Sequence, residues 1–182
     1  NIPIPGIKKP VIIVDGFDPN GTRIDTSIYN LFRYYNQNNN PDNFADELRS
    51  FGKDFDIIVM DMPGYTKDFP ATINDPTSTL PYPKPLFDAV APDNLKGVIF
   101  GGGDFQQRNA YTLEALIDYC NQQMRINGSN EQLVLVGPSM GGQITRYALR
   151  DMELRGQNHN CRLWVSFDSH YQGSYAPMGL QY

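Results

Sequence analysis

Four short, mostly apolar runs constrain this chain more than any other feature: Val11–Val14, Ile57–Met60, Leu133–Val136 and Leu163–Phe167. A strand with one wet face alternates apolar and polar residues, whereas a run apolar at nearly every position suits a strand covered on both faces, as in a parallel sheet. Helical patterns fall between the runs. Ile28, Leu31, Phe32 and Tyr35 recur at i, i+3, i+4 and i+7, with Asp25, Thr26 or Ser27 available as N-cap and the Asn36–Asn40 tract as terminator. A shorter helix is expected from Pro41-Asp42, with Phe44 and Leu48 facing inward. Leu113, Leu116, Ile117, Cys120 and Met124 mark a long helix closed by Asn127-Gly128, and Ile144, Tyr147, Ala148 and Met152 mark another. Strands alternating with helices call for right-handed crossovers, so the expected fold is a three-layer α/β/α domain over residues 1–182 with a mostly parallel sheet. In that sheet the 11–14 run should lie between 57–60 and 133–136, with 163–167 outside the latter.

The stretch 62–96 breaks the pattern. It contains seven prolines and no periodicity, together with Tyr65, Phe69, Leu80, Tyr82 and Phe87. A segment of this length is expected to act as a lid or binding loop, and its aromatics give it surface to dock with. The Gly101-Gly102-Gly103 run beyond it lacks the Lys and Ser/Thr of a phosphate loop.

Bulk properties remove several classes. A net charge of −5 gives no basic face to neutralise phosphates, so nucleic acid is not an expected partner. No apolar run approaches the ~20 residues of a membrane-spanning helix. No His, Cys or carboxylate cluster has metal spacing, and no cofactor is implied. The two cysteines, Cys120 and Cys161, are too few for a disulfide framework, and sequence leaves open whether they are bridged. Scarce Lys beside abundant Asn and Tyr points towards a secreted or cell-surface protein.

Chemistry concentrates at Gly137-Pro138-Ser139-Met140-Gly141, a G-x-S-x-G motif running from a buried strand into an amphipathic helix. The spacing has a mechanical reason. The serine must sit on a strained turn that lifts its hydroxyl above the sheet, and glycines two residues away on either side remove Cβ atoms that would strike the neighbouring strand and helix. The helix N-terminus beneath Ser139 favours negative charge developing on a substrate.

In these residues the chain resembles the α/β-hydrolase superfamily, and more closely its lipase-like branch. Gly16-Phe17-Asp18-Pro19 and the run Asp168-Ser169-His170-Tyr171-Gln172-Gly173-Ser174 are also similar to segments of secreted lipase-like proteins of the Bacteroidota. The resemblance implies a catalytic Ser139 with the Phe17 and Met140 backbone N–H groups as oxyanion hole. Asp15 stands where the family has His, a departure that alters a side chain and leaves the backbone donor. Asp168 follows the strand after the nucleophile helix, where some lipases carry the triad acid. The family's His comes later than any strand this sequence holds, so the core is expected to lack its C-terminal strands. Of the two histidines, His159 falls in a polar turn at the opposite sheet edge and is expected to face solvent. His170 lies two residues from Asp168, a spacing that seldom aligns carboxylate and imidazole.

The resulting expectation is a serine esterase or lipase-like hydrolase acting on an apolar ester or acyl substrate through an acyl-enzyme on Ser139. Its base would come from a continuing C-terminal segment, which, or else a second chain, would also cover the sheet edge. The alternative is a non-catalytic binding or scaffold module of the same fold in a secreted assembly, since absent triad residues are what such a module would show.

Overall fold

The computed structural model describes residues 6–18, 23–50, 54–62, 65–66, 98–99 and 101–173. Four parallel strands form the central sheet: β1 (Pro10–Val14), β4 (Asp56–Met60), β7 (Leu133–Pro138) and β8 (Cys161–Phe167). Their spatial order is β4-β1-β7-β8, so the expected order holds and the direction of winding reverses at β1 and β7. Ile12 pairs with Ile58 on one side and Leu135 on the other, while Val136 pairs with Val165 of β8.

Alternation along each strand divides the core into two faces. Ile12, Val14, Leu133 and Leu135 point to one face, where Leu113, Ile117, Cys120 and Met124 of α3 (Gln106–Ile126) meet Ile144, Ala148 and Met152 of α4 (Met140–Leu154). Val11, Ile13, Val134 and Val136 point to the other, against Ile28 of α1 (Asp25–Asn30) and Leu48 of α2 (Phe44–Ser50). Helices therefore cover both faces of β1 and β7, as their consecutive apolar runs require, whereas the run in β8 is covered on one face only. Both cysteines are free thiols, and burial pushes Cys120 up to about 11.

The first helical pattern is only partly realised. Helix α1 ends at Asn30, and Arg33–Tyr35 (β2) instead pairs antiparallel with Pro41–Asn43 (β3). Tyr35 is consequently 73% exposed. The asparagine tract explains the outcome. Asn36 Oδ1 accepts from the Asn38 and Asn40 N–H groups, and Asn39 takes a φ of 58°, which Asn tolerates better than most residues. A tract expected to stop a helix thus turns a hairpin. Helix α2 begins later than expected, with Asn43 Oδ1 accepting from the Ala45 N–H. Leu48 faces inward as expected, but Ala45 takes the buried place expected of Phe44, which is exposed.

Only Met62 and the pair Tyr65–Thr66 (β5) of the 62–96 stretch lie among the described residues; β5 pairs antiparallel with Val98–Ile99 (β6). The expected lid otherwise falls outside them. No helix among the described residues is long and apolar enough to cross a membrane.

Strand β8 forms one sheet edge, and its two faces differ. Trp164 packs towards α4, its indole N–H donating to the buried Thr145 hydroxyl at 2.8 Å. Leu163, Val165 and Phe167 point the other way and remain 48%, 37% and 45% exposed. Phe167 meets Phe32 edge to face at 6.0 Å.

Candidate active site

Ser139 occupies the junction between β7 and α4 with φ 50° and ψ −126°, a sparsely populated conformation for a residue with a side chain. It is the N-cap of α4, yet its hydroxyl makes no capping hydrogen bond. Serine at this position ordinarily turns its oxygen onto the helix N–H groups. The hydroxyl is instead left available while the helix N-terminus stays directly beside it. Two close approaches account for the flanking glycines. A Cβ on Gly137 would stand 2.5 Å from the Gly141 carbonyl carbon, and one on Gly141 would stand 2.7 Å from the Asp15 carbonyl oxygen. The turn therefore interlocks with both its own helix and the end of β1.

The end of β1 forms a second wall. A Cβ on Gly16 would lie 3.3 Å from Ser139 Cβ and 3.7 Å from its Oγ, so the Asp15-Gly16-Phe17 backbone runs alongside the serine. Asp15 is buried, with Oδ1 accepting from the Gly16 N–H at 2.7 Å and Oδ2 from Arg23 Nε at 3.1 Å. Burial raises its pKa above the usual carboxylate range, opposed by the Gly16 N–H and the Arg23 guanidinium. Among the described residues no oxygen accepts from the Phe17 N–H, and the Phe17 ring is 58% exposed at the rim. Met140 is buried in the first turn of α4.

The third wall comes from the end of β8, which grips both peptide groups of Ser139. The Ser139 N–H donates to the Phe167 carbonyl at 3.0 Å, and the Ser169 hydroxyl donates to the Ser139 carbonyl at 2.7 Å. Ser166 Oγ stands 2.8 Å from Ser169 Oγ and 2.6 Å from the Tyr171 hydroxyl. Gln106 Nε2 donates to Gln143 Oε1 and Gln143 Nε2 to the His170 carbonyl, both at 2.7 Å, joining α3, α4 and this loop.

Asp168 sits within that loop at a φ of 53°, exposed, its carboxylate paired with neither histidine. The His170 residue is exposed as well. Neither imidazole hydrogen-bonds the Ser139 hydroxyl. His159 lies at the opposite sheet edge as expected, but it does not face solvent. Its side chain is 19% exposed, Nδ1 accepts the Cys161 N–H at 2.9 Å, and Nε2 stands 3.6 Å from Glu153. Its ring fixes the turn into β8. The structure thus gathers Ser139, Met140, Phe17 and the Asp168 loop at the C-terminal strand ends and leaves His159 remote.

Three polar residues at the site escape sequence reading: Arg23, Gln143 and Ser169. Arg23 has no motif around it to mark it, and the other two look like ordinary surface polars until the sheet order brings them to the elbow. No group of His, Cys, Asp and Glu among the described residues is arranged to hold a metal.

Comparison with known proteins gives one match. Residues 28–161 match the alpha/beta hydrolase fold family. That stretch includes Ser139 and Met140 and leaves Phe17 and Asp168 outside. No curated protein and no solved structure matches the chain, and the narrower likeness to secreted lipase-like proteins has no relative behind it. With the matched stretch well over half its length, and with a parallel sheet wound as that fold requires, the chain belongs to the alpha/beta hydrolase fold family.

Proposed function

We propose that this chain carries the nucleophile and oxyanion hole of a serine ester hydrolase of the esterase or lipase-like kind. Family membership makes hydrolase chemistry plausible, and one observation favours serine: the Ser139 hydroxyl is held on a strained turn at a helix N-terminus without being spent on capping it. Strain of this kind costs about 1–3 kcal/mol, and such residues cluster at functional sites. In the reaction Ser139 Oγ attacks an ester carbonyl, and the Phe17 and Met140 N–H groups receive the oxyanion. A base takes the Ser139 proton and gives it to the leaving alkoxide. It then takes a proton from water, whose oxygen bonds the acyl carbon as the bond to Ser139 Oγ breaks, and returns that proton to the serine. The exposed Phe17 ring at the rim suits an apolar acyl group, and a secreted or cell-surface setting accompanies the reading.

The base belongs outside residues 1–182 in this reading, because neither imidazole engages Ser139. Asp168 is the candidate acid, carried by a loop clamped to the serine. A serine without an aligned base keeps only oxyanion-hole and binding effects, ~10³–10⁴-fold over water. Residues 1–182 alone are therefore expected to hydrolyse p-nitrophenyl esters far more slowly than the full-length protein, and Ser139→Ala should abolish fluorophosphonate labelling of the latter. A fragment as active as full-length protein, with His170→Ala silencing both, would make His170 the base. The unengaged histidines equally favour a second reading, a non-catalytic binding module of the same fold. Full-length protein as inert as Ser139→Ala would establish that one.

A further inference from the structure

We propose that Arg23 is a positioning residue for the oxyanion hole, bracing the Asp15-Gly16-Phe17 turn so that the Phe17 N–H is presented towards Ser139. The inference rests on the hydrolase reading above. Three contacts made by one residue carry it. Arg23 Nε donates to Asp15 Oδ2 at 3.1 Å, Nη2 donates to the Phe17 carbonyl at 2.6 Å, and the Arg23 N–H donates to Asp18 Oδ2 at 2.7 Å. The remaining Asp15 oxygen takes the Gly16 N–H, and the Asp18 N–H donates to the Gly102 carbonyl at 3.1 Å. The peptide before Gly16 is thus pinned through Asp15, and the peptide after Phe17 is pinned through the guanidinium. Between them lies the Gly16–Phe17 peptide, whose N–H no described residue accepts and whose glycine runs beside Ser139, where a Cβ would come within 3.3 Å of the serine Cβ.

The chemistry of the two side chains suits a brace. A guanidinium offers donors in a planar fork and can hold a carboxylate and a carbonyl at once, which an ammonium point charge does poorly. Asp15 is 1% exposed, so its charge depends on the fork and on the Gly16 N–H for compensation. Arg23 is 30% exposed, reachable by a small solute. An oxyanion donor acts through placement fixed before the reaction, and misplacement on the order of 1 Å costs about 10²-fold.

The test uses full-length protein and two readouts. In Arg23→Ala, fluorophosphonate labelling of Ser139 and kcat on a short acyl ester should both fall about tenfold to a hundredfold, with KM within about twofold. Millimolar guanidinium should restore part of the loss, and Arg23→Lys should fall between the two. Independently of activity, hydrogen exchange of the Gly16 amide should accelerate in Arg23→Ala while unfolding stays cooperative. Wild-type labelling in Arg23→Ala, or an unchanged Gly16 amide, would overturn the brace. If Arg23→Ala does not fold, Arg23→Lys decides on the same readouts. A wild-type protein that is not labelled sinks the hydrolase reading and the catalytic purpose of the brace together. A wild-type protein that is labelled, beside an unaffected Arg23→Ala, sinks only the brace.

Discussion

At Ser139 the needs of chemistry and of folding oppose each other. Its φ of 50° would cost a glycine almost nothing, while a side chain there is strained by about 1–3 kcal/mol. The hydroxyl also fails to repay its N-cap position, since it caps nothing. Ser139→Gly should therefore raise the thermal midpoint by about 2–4 °C, the shift expected per kcal/mol at this size, while removing all labelling. A midpoint that falls in a thermal melt would show that the serine is supported by contacts the strain argument neglects. The motif made this residue legible in sequence because its constraints are local: two glycines, one serine and a strand-to-helix junction. Arg23 and Ser169 were illegible for the opposite reason, since their partners lie in backbone that only the folded sheet brings near.

Among the elements, the long amphipathic helices and the buried strands were readable because their period is imposed by burial over many residues. The β2–β3 hairpin was not, because Leu31, Phe32 and Tyr35 fit a helical stripe while the asparagine turn that overrides it follows them. The α3–α4 contact holds a further element-scale surprise in Glu114, a buried carboxylate beside Leu113 and Ile117 that is ion-paired with Arg155. Its Oε1 has no partner, and burial raises its pKa above the ordinary 4.5. Between the unfolded and the raised folded value, the native state binds more protons than the unfolded chain, so this group's contribution to stability falls as pH rises through that window. Glu114→Gln should then stabilise the protein at pH 7 relative to its effect near pH 4.5. Urea midpoints of both proteins at the two pH values provide the comparison, and a greater benefit at the acid end would contradict it.

For the molecule as a whole, the alternating strands and helices made the parallel sheet legible, the expected strand order holds, and the unequal burial of β8 completes the picture. Leu163, Val165 and Phe167 form an apolar stripe along a sheet edge, the arrangement that natural proteins usually cover or charge. Residues 1–182 in isolation are expected to associate through this stripe, and Val165→Lys should reduce the association seen by sedimentation. In full-length protein the same substitution should cost stability if a continuing segment lies over β8, and leave it unchanged if nothing does. Equal self-association of the fragment with and without the lysine would place the contact elsewhere.

The grip of β8 on Ser139 has a consequence in time. Synthesis delivers β1, β4 and β7 first, but the Phe167 carbonyl and the Ser169 hydroxyl that hold the serine's peptide groups arrive some thirty residues after it. Domains fold as the chain emerges at about 5–20 residues per second, so the nascent chain passes seconds with Ser139 present but not yet distorted. The strained turn is then among the last features acquired, and it arrives with the burial of Trp164, the one tryptophan in the sequence. In refolding, recovery of probe labelling should lag main-sheet formation and never precede the change in tryptophan emission; labelling that precedes it would mean that the turn distorts without β8.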